Sequence, residues 1–110
     1  MLSTMNKHLQ KRIEALLNQF DRATLTTCGP AGPQLSIVTY SVQGVQLHLE
    51  QLHGSDHLFN LETQPDLVLL TEGWRLHGHG HTNQQQATIV VTGARLHVLN
   101  GQHSVETIDF

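Results

Sequence analysis

From Ala23 onward the chain is written in short runs whose side chains change character at every second position, each run closed by glycine, proline or asparagine. That period belongs to strands, because successive side chains point to opposite faces of a sheet. No other feature narrows the fold so far. Residues 23–28 form the first run, and Gly29-Pro30-Ala31-Gly32-Pro33 then breaks helix and ladder alike, since proline lacks an N–H and glycine admits turn geometries. From Gln34, the set Leu35, Ile37 and Thr39 alternates with Ser36, Val38 and Tyr40, and the chain returns at Gln43-Gly44 into residues 45–50. These two runs read as a hairpin. Val45, Leu47 and Leu49 share one side of it, while Gln46, His48 and Glu50 meet solvent, a ligand or a partner.

Two segments depart from the period of two. Leu2, Met5, Leu9, Ile13, Leu16, Leu17 and Phe20 recur at steps of three and four, which predicts an amphipathic helix capped by Ser3 or Thr4. Ser55 is the expected N-cap of a short helix that carries Leu58 and Leu61 on one face and is stopped by Pro65. In residues 66–71 four aliphatic side chains follow one another, the mark of a strand covered on both faces. Residues 74–81 alternate again, with Trp74, Leu76, Gly78 and Gly80 opposite Arg75, His77, His79 and His81. A polar loop at 83–86 leads into β-rich residues 87–92, Gly93 permits a bulge, and residues 95–99 continue the strand. Asn100-Gly101 signals a type I′ hairpin to residues 102–110. Six or seven short antiparallel strands with so little helix to cover them favour a closed barrel, which leaves no exposed edges. The expected fold is a single mainly β (α+β) domain over residues 1–110, with an N-terminal helix and one short helix between strands.

Charge and composition remove several functions. Six Lys and Arg stand against nine Asp and Glu, giving a formal charge of −3, so there is no basic stripe for nucleic acid or an anionic membrane. The longest aliphatic run is far short of a bilayer span, and charged residues occupy the N-terminus where a signal peptide needs an apolar core. A cytoplasmic protein is expected. The single cysteine, Cys28, rules out an internal disulfide and suits a reducing compartment.

Nine histidines are the odd number in the composition, and three of them lie on one face of the 74–81 strand. Successive members stand roughly 6.5–7 Å apart, whereas a metal needs its ligands about 2 Å away. The outer pair cannot share an ion without bending or help from another chain, and the other route to a site is one of these histidines joining residues such as His48 or Glu50 on a neighbouring strand. The glycines supply the simpler account: Gly78 and Gly80 let a backbone or ring pack closely, and the histidines face outward. No metal is therefore expected. Tyr40 and Trp74 are read as fillers of the core or of a dimer interface rather than as stacking platforms.

The stretch Gly32-Pro33-Gln34-Leu35-Ser36-Ile37-Val38-Thr39-Tyr40, followed by Gly44-Val45-Gln46-Leu47-His48-Leu49, Ser55-Asp56-His57-Leu58-Phe59-Asn60-Leu61 and Pro65-Asp66-Leu67-Val68-Leu69, resembles the pyridoxamine 5′-phosphate oxidase-like FMN-binding split barrels. The order of the parts carries the resemblance: a hairpin, a short helix opening with Ser, a buried strand and then a glycine-containing strand. It implies a homodimer with a small-molecule ligand, FMN, in a groove at the dimer interface, and a flavin-dependent oxidoreductase activity. On that basis Leu49, Glu50, Ser55, Asp56 and His57 are the expected cofactor-binding residues, with the catalytic residues unassigned. In the family the phosphate is gripped by Arg, Lys and Ser or Thr, yet the basic pair after the helix-opening Ser falls here on Asp56 and His57. Replacing a cation by Asp adds repulsion where a phosphate needs attraction. The alternative expectation is a non-catalytic barrel that has lost flavin and holds another ligand, a metal, or haem through an axial His.

Overall fold

The computed structural model describes residues 7–30, 32–50, 56–83 and 88–110. The elements follow in the order α1 (Lys7–Leu17), β1 (Arg22–Thr27), β2 (Gln34–Gln43), β3 (Gln46–Leu49), α2 (Asp56–Thr63), β4 (Asp66–Leu70), β5 (Trp74–Asn83), β6 (Thr88–Asn100) and β7 (His103–Asp109). The expected start of the first helix with its caps Ser3 and Thr4, the cap Ser55 and residues 84–86 of the expected polar loop lie outside the described residues, while Asn83, expected in that loop, ends β5.

Every strand pairing is antiparallel, in the order β3-β2-β1-β4-β5-β6-β7, and β3 also pairs with β6. Strands β1 to β6 therefore close into a six-stranded barrel, and β7 lies outside it along β6. The alternation read from the sequence becomes an inside and an outside. Leu25, Val38, Tyr40, Leu47, Leu49, Leu67, Leu69, Leu76, Ile89, Val91 and Leu96 fill the interior. Fully burying a side chain of this size stabilises the fold by about 1.5–3 kcal/mol.

The two helices plug the ends. α1 sets Ile13 and Leu17 over the end where β1 and β5 begin, and α2 sets Leu58 and Leu61 over the other. The last carbonyls of a helix lack intrahelical partners, and here aromatic side chains supply them. Trp74 Nε1 donates to the Leu16 carbonyl at 2.9 Å and the Tyr40 hydroxyl to that of Leu17 at 2.6 Å. Their rings meet edge to face, 6.0 Å apart. Burial, aided by Asp21, pushes the Tyr40 hydroxyl up to about 12, so it remains a donor.

The glycine face of β5 is inward. A Cβ on Gly78 would stand 2.5 Å from the Thr92 carbonyl oxygen, and one on Gly80 would meet Leu67 at 2.8 Å. His77, His79 and His81 are exposed. The register slips by one residue where His77 pairs with Arg95 and Gly78 with Gly93, which leaves Ala94 as the extra residue of a bulge beside Gly93.

Three expectations change. The aliphatic run in β4 is covered on its inner face only: Leu67 and Leu69 are buried, but Leu70 is 44% exposed. The last hairpin turns one residue later than Asn100-Gly101 suggests, because Asn100 pairs with His103 and the turn is Gly101-Gln102, with Gly101 at φ 64°. Finally, β3 is not a neighbour of β5; Val90 of β6 stands between His48 and His81.

Candidate functional site

Polar side chains enter the interior at the α2 end, where β1 and β2 meet the helix. Thr27 follows Ala23 and Leu25 on the inward side of β1, Ser36 precedes Val38 and Tyr40 on β2, and His57 and Asn60 come from α2. Thr27, His57 and Asn60 are buried and Ser36 is exposed. Asn60 Nδ2 lies 2.9 Å from the Gly32 carbonyl and 3.2 Å from Thr27 Oγ1. His57 Nδ1 lies 2.8 Å from Thr27 Oγ1, and its Nε2 lies 2.9 Å from Ser36 Oγ.

Proton directions follow from the donor inventory. Bonding to a carbonyl fixes the Asn60 amide as the donor, so Thr27 Oγ1 accepts from it. The Thr27 hydroxyl also meets His57 Nδ1. The His57 ring therefore stands between two hydroxyls, with Nδ1 against Thr27 and Nε2 against Ser36. Burial pushes the His57 ring below its usual 6.5, against a smaller pull upward from Asp56. A chain of hydrogen bonds thus runs from the Gly32 carbonyl through Asn60, Thr27 and His57 to Ser36.

The five expected cofactor residues divide. Leu49 is buried in the core, Glu50 is exposed just beyond β3, Asp56 is exposed at the first position of α2, and His57 is buried rather than solvated. Ser55 lies outside the described residues. This end of the barrel suits the neutral polar groups of a ligand. It does not fit a phosphate dianion, since Asp56 is an acid and His57 is held neutral. Ser36, Thr27 and Asn60 were missed, although polar residues at inward positions of otherwise apolar columns were a signal available in the sequence.

On the outside, two registered rows of side chains run around the barrel. One contains Ile37, Thr24, Leu70, Arg75, His97 and Thr107; the other contains Leu35, Thr26, Val68, His77, Arg95 and Asp109. On β2, β1 and β4 the band is apolar, with Leu35 67% and Ile37 75% exposed. There a cleft of about 490 Å³ is lined by Phe20, Arg22, Ile37 and Leu70, among others. On β5, β6 and β7 the band is cationic. A second cleft, of about 450 Å³, lies between β1, β4 and β5 and includes Cys28, Asp66, His77 and His79. His79 Nδ1 is paired with Asp66 at 2.9 Å. Among the described residues no group of three or more His, Cys, Asp and Glu could hold a metal ion, and no helix is long and apolar enough to cross a membrane.

Neither a protein-family model nor a curated protein matches the sequence. Solved structures do match the fold. A candidate pyridoxamine 5′-phosphate oxidase from Listeria innocua superposes with a TM-score of 0.66 at 15% identity, over 84% of this chain and 99% of its own. General stress protein 26 from Bacillus anthracis gives 0.71 at 11% identity, over 94% and 99%. A heme binding protein from Mycobacterium smegmatis gives 0.70 at 15% identity, over 91% of this chain and 57% of its own. The chain has the split-barrel fold of the pyridoxamine 5′-phosphate oxidase-like proteins.

Proposed function

We propose that the protein is a homodimeric split barrel that binds a flavin, FMN in the first instance, and uses it in the oxidoreduction of a small substrate. The observation that supports this most is the exposed apolar half of the outer band. Leu35, Ile37 and Leu70 form a surface that a second subunit would cover, turning the adjacent cleft into an enclosed groove. Enclosed, mostly apolar grooves with a few polar groups are where cofactors bind. A bound flavin would supply the electron transfer, and the protein would hold its ring and exclude water. The neutral α2 end gives no grip on the phosphate, so positive charge would come from elsewhere, Arg22 beside the same cleft being one source.

A second reading, haem, is favoured by one atom. His48 Nε2 is buried and has no hydrogen-bond partner among the described residues, and an unpaired imidazole nitrogen is what an axial ligand requires. One absorption spectrum of the purified protein decides between them. Flavin bands support the first reading and a Soret band the second. Neither band, together with no FMN binding on titration, would end the flavin proposal.

A further inference from the structure

We propose that the trough on the outer face of β5, β6 and β7 binds a phosphate-class oxyanion between the Arg75 and Arg95 guanidiniums, with His77 and His97 as additional donors. The register builds the site. Arg75 stands opposite His97 and His77 opposite Arg95, so guanidinium and imidazole alternate around one rectangle. His77, Ala94, Arg95, His97 and Asp109 line a cavity of about 380 Å³ there, with the small side chain of the bulge residue Ala94 leaving room. Three of the four side chains are already in contact: Arg75 Nε donates to His77 Nε2 at 3.3 Å, and the two imidazoles meet edge to face at 5.4 Å.

Charge is unbalanced at this spot. In a chain of net charge −3, two of the six Lys and Arg converge here. Asp109 of β7 is paired with Arg95 at 2.7 Å, while β4 brings Val68 and Leu70 opposite His77 and Arg75. Two guanidiniums against one carboxylate leave one positive charge before either imidazole is protonated. Burial first, then Arg75 and Arg95, push both His77 and His97 below 6.5; His97 also lowers His77, and Asp109 partly offsets the effect on His97. An oxyanion would relieve the repulsion, and guanidinium groups match it with paired N–H donors.

Donor positions agree with that role. Accepting from Arg75 places the neutral His77 proton on Nδ1. His97 Nδ1 is engaged by the Thr107 and Ser104 hydroxyls at 3.1 and 3.4 Å, which leaves Nε2 for a ligand. Asp109 competes for Arg95, so an incoming anion replaces one carboxylate partner by a ligand of higher charge. This inference does not depend on flavin binding, because every donor comes from one subunit.

The test is titration of the intact protein with inorganic phosphate at constant ionic strength, following the ring signals of all histidines by NMR. The expected result is a selective shift of His77 and His97 and a rise in the pH at which both titrate. Arg75→Ala and Arg95→Ala should each weaken binding about tenfold or more. Asp109→Asn, which removes the competing carboxylate, should strengthen it, an outcome that misfolding cannot produce. Equal shifts at every histidine, an effect matched by chloride, or unchanged binding in Arg75→Ala would overturn the site. Competition by FMN but not by riboflavin would identify a phosphate monoester as the ligand, and phosphate binding without such competition would identify free phosphate; both uphold the site.

Discussion

His57 is a titratable ring held neutral inside a polar chain, and its pH dependence follows from that. Its folded-state pKa lies below the unfolded value near 6.5. Above that pH both states are neutral and stability is complete. As pH falls, the unfolded chain takes up the proton first, so stability declines until the folded ring is protonated too. Urea midpoints measured between about pH 8 and pH 5 should fall on the acid side, and less steeply in His57→Gln. His77 and His97 shift in the same direction and contribute to what remains, joined toward the acid end by Glu106 and Asp109, whose carboxyls Arg12 and Arg95 hold below the usual range. An identical slope in the variant would remove His57 from the explanation. His57→Ala should cost about 1–3 kcal/mol at neutral pH, because it strands the buried Thr27 hydroxyl. The sequence marks His57 through its place on the short helix. It does not reveal the partners, since Thr27 and Ser36 reach the ring from two strands about 30 and 21 positions away.

At the scale of elements, α1 is fastened to the barrel through its last carbonyls. Removing the Tyr40 hydroxyl in Tyr40→Phe should lower stability by about 1 kcal/mol, with amide exchange accelerating in α1 more than in β4 or β5. Uniform acceleration across the barrel would mean that the hydroxyl serves the core as a whole. Arg12 with Glu106 also joins α1 to β7, but both side chains face water, so Arg12→Ala should leave the urea midpoint nearly unchanged. Strands were legible because burial on one face imposes a period of two, and the bulge was legible only as a place, since the extra residue is Ala94 and Gly93 beside it is kept small by the Phe110 ring. What local pattern could not give was the β3–β6 pairing that closes the barrel. Leu47 and Val91 meet across it, and nothing in either strand names the other. The same limit explains β4: four aliphatic residues in succession show that both faces want cover, without saying whether it comes from this chain.

Across the whole molecule, the outer band joins an apolar half to a cationic half, and each has a different consequence for assembly. Specific interfaces bury on the order of 1,000 Å² or more around an apolar centre with a polar rim. Leu35, Ile37 and Leu70 can form such a centre, with Arg75 at its border opposite Leu70. Analytical ultracentrifugation should therefore find a dimer at micromolar concentration, and the double substitution Ile37→Glu with Leu70→Lys should convert it to a monomer. Both positions are exposed in the single chain, so the barrel should stay folded, with its far-ultraviolet spectrum unchanged. A wild-type monomer, or a variant that remains dimeric, would show that the apolar row is not where two copies meet. The same variant separates the two ligand proposals. A flavin enclosed between subunits should be lost with the dimer, whereas His77 and His97 should still respond to phosphate, because Arg75 and Arg95 belong to the same subunit as the rings they flank.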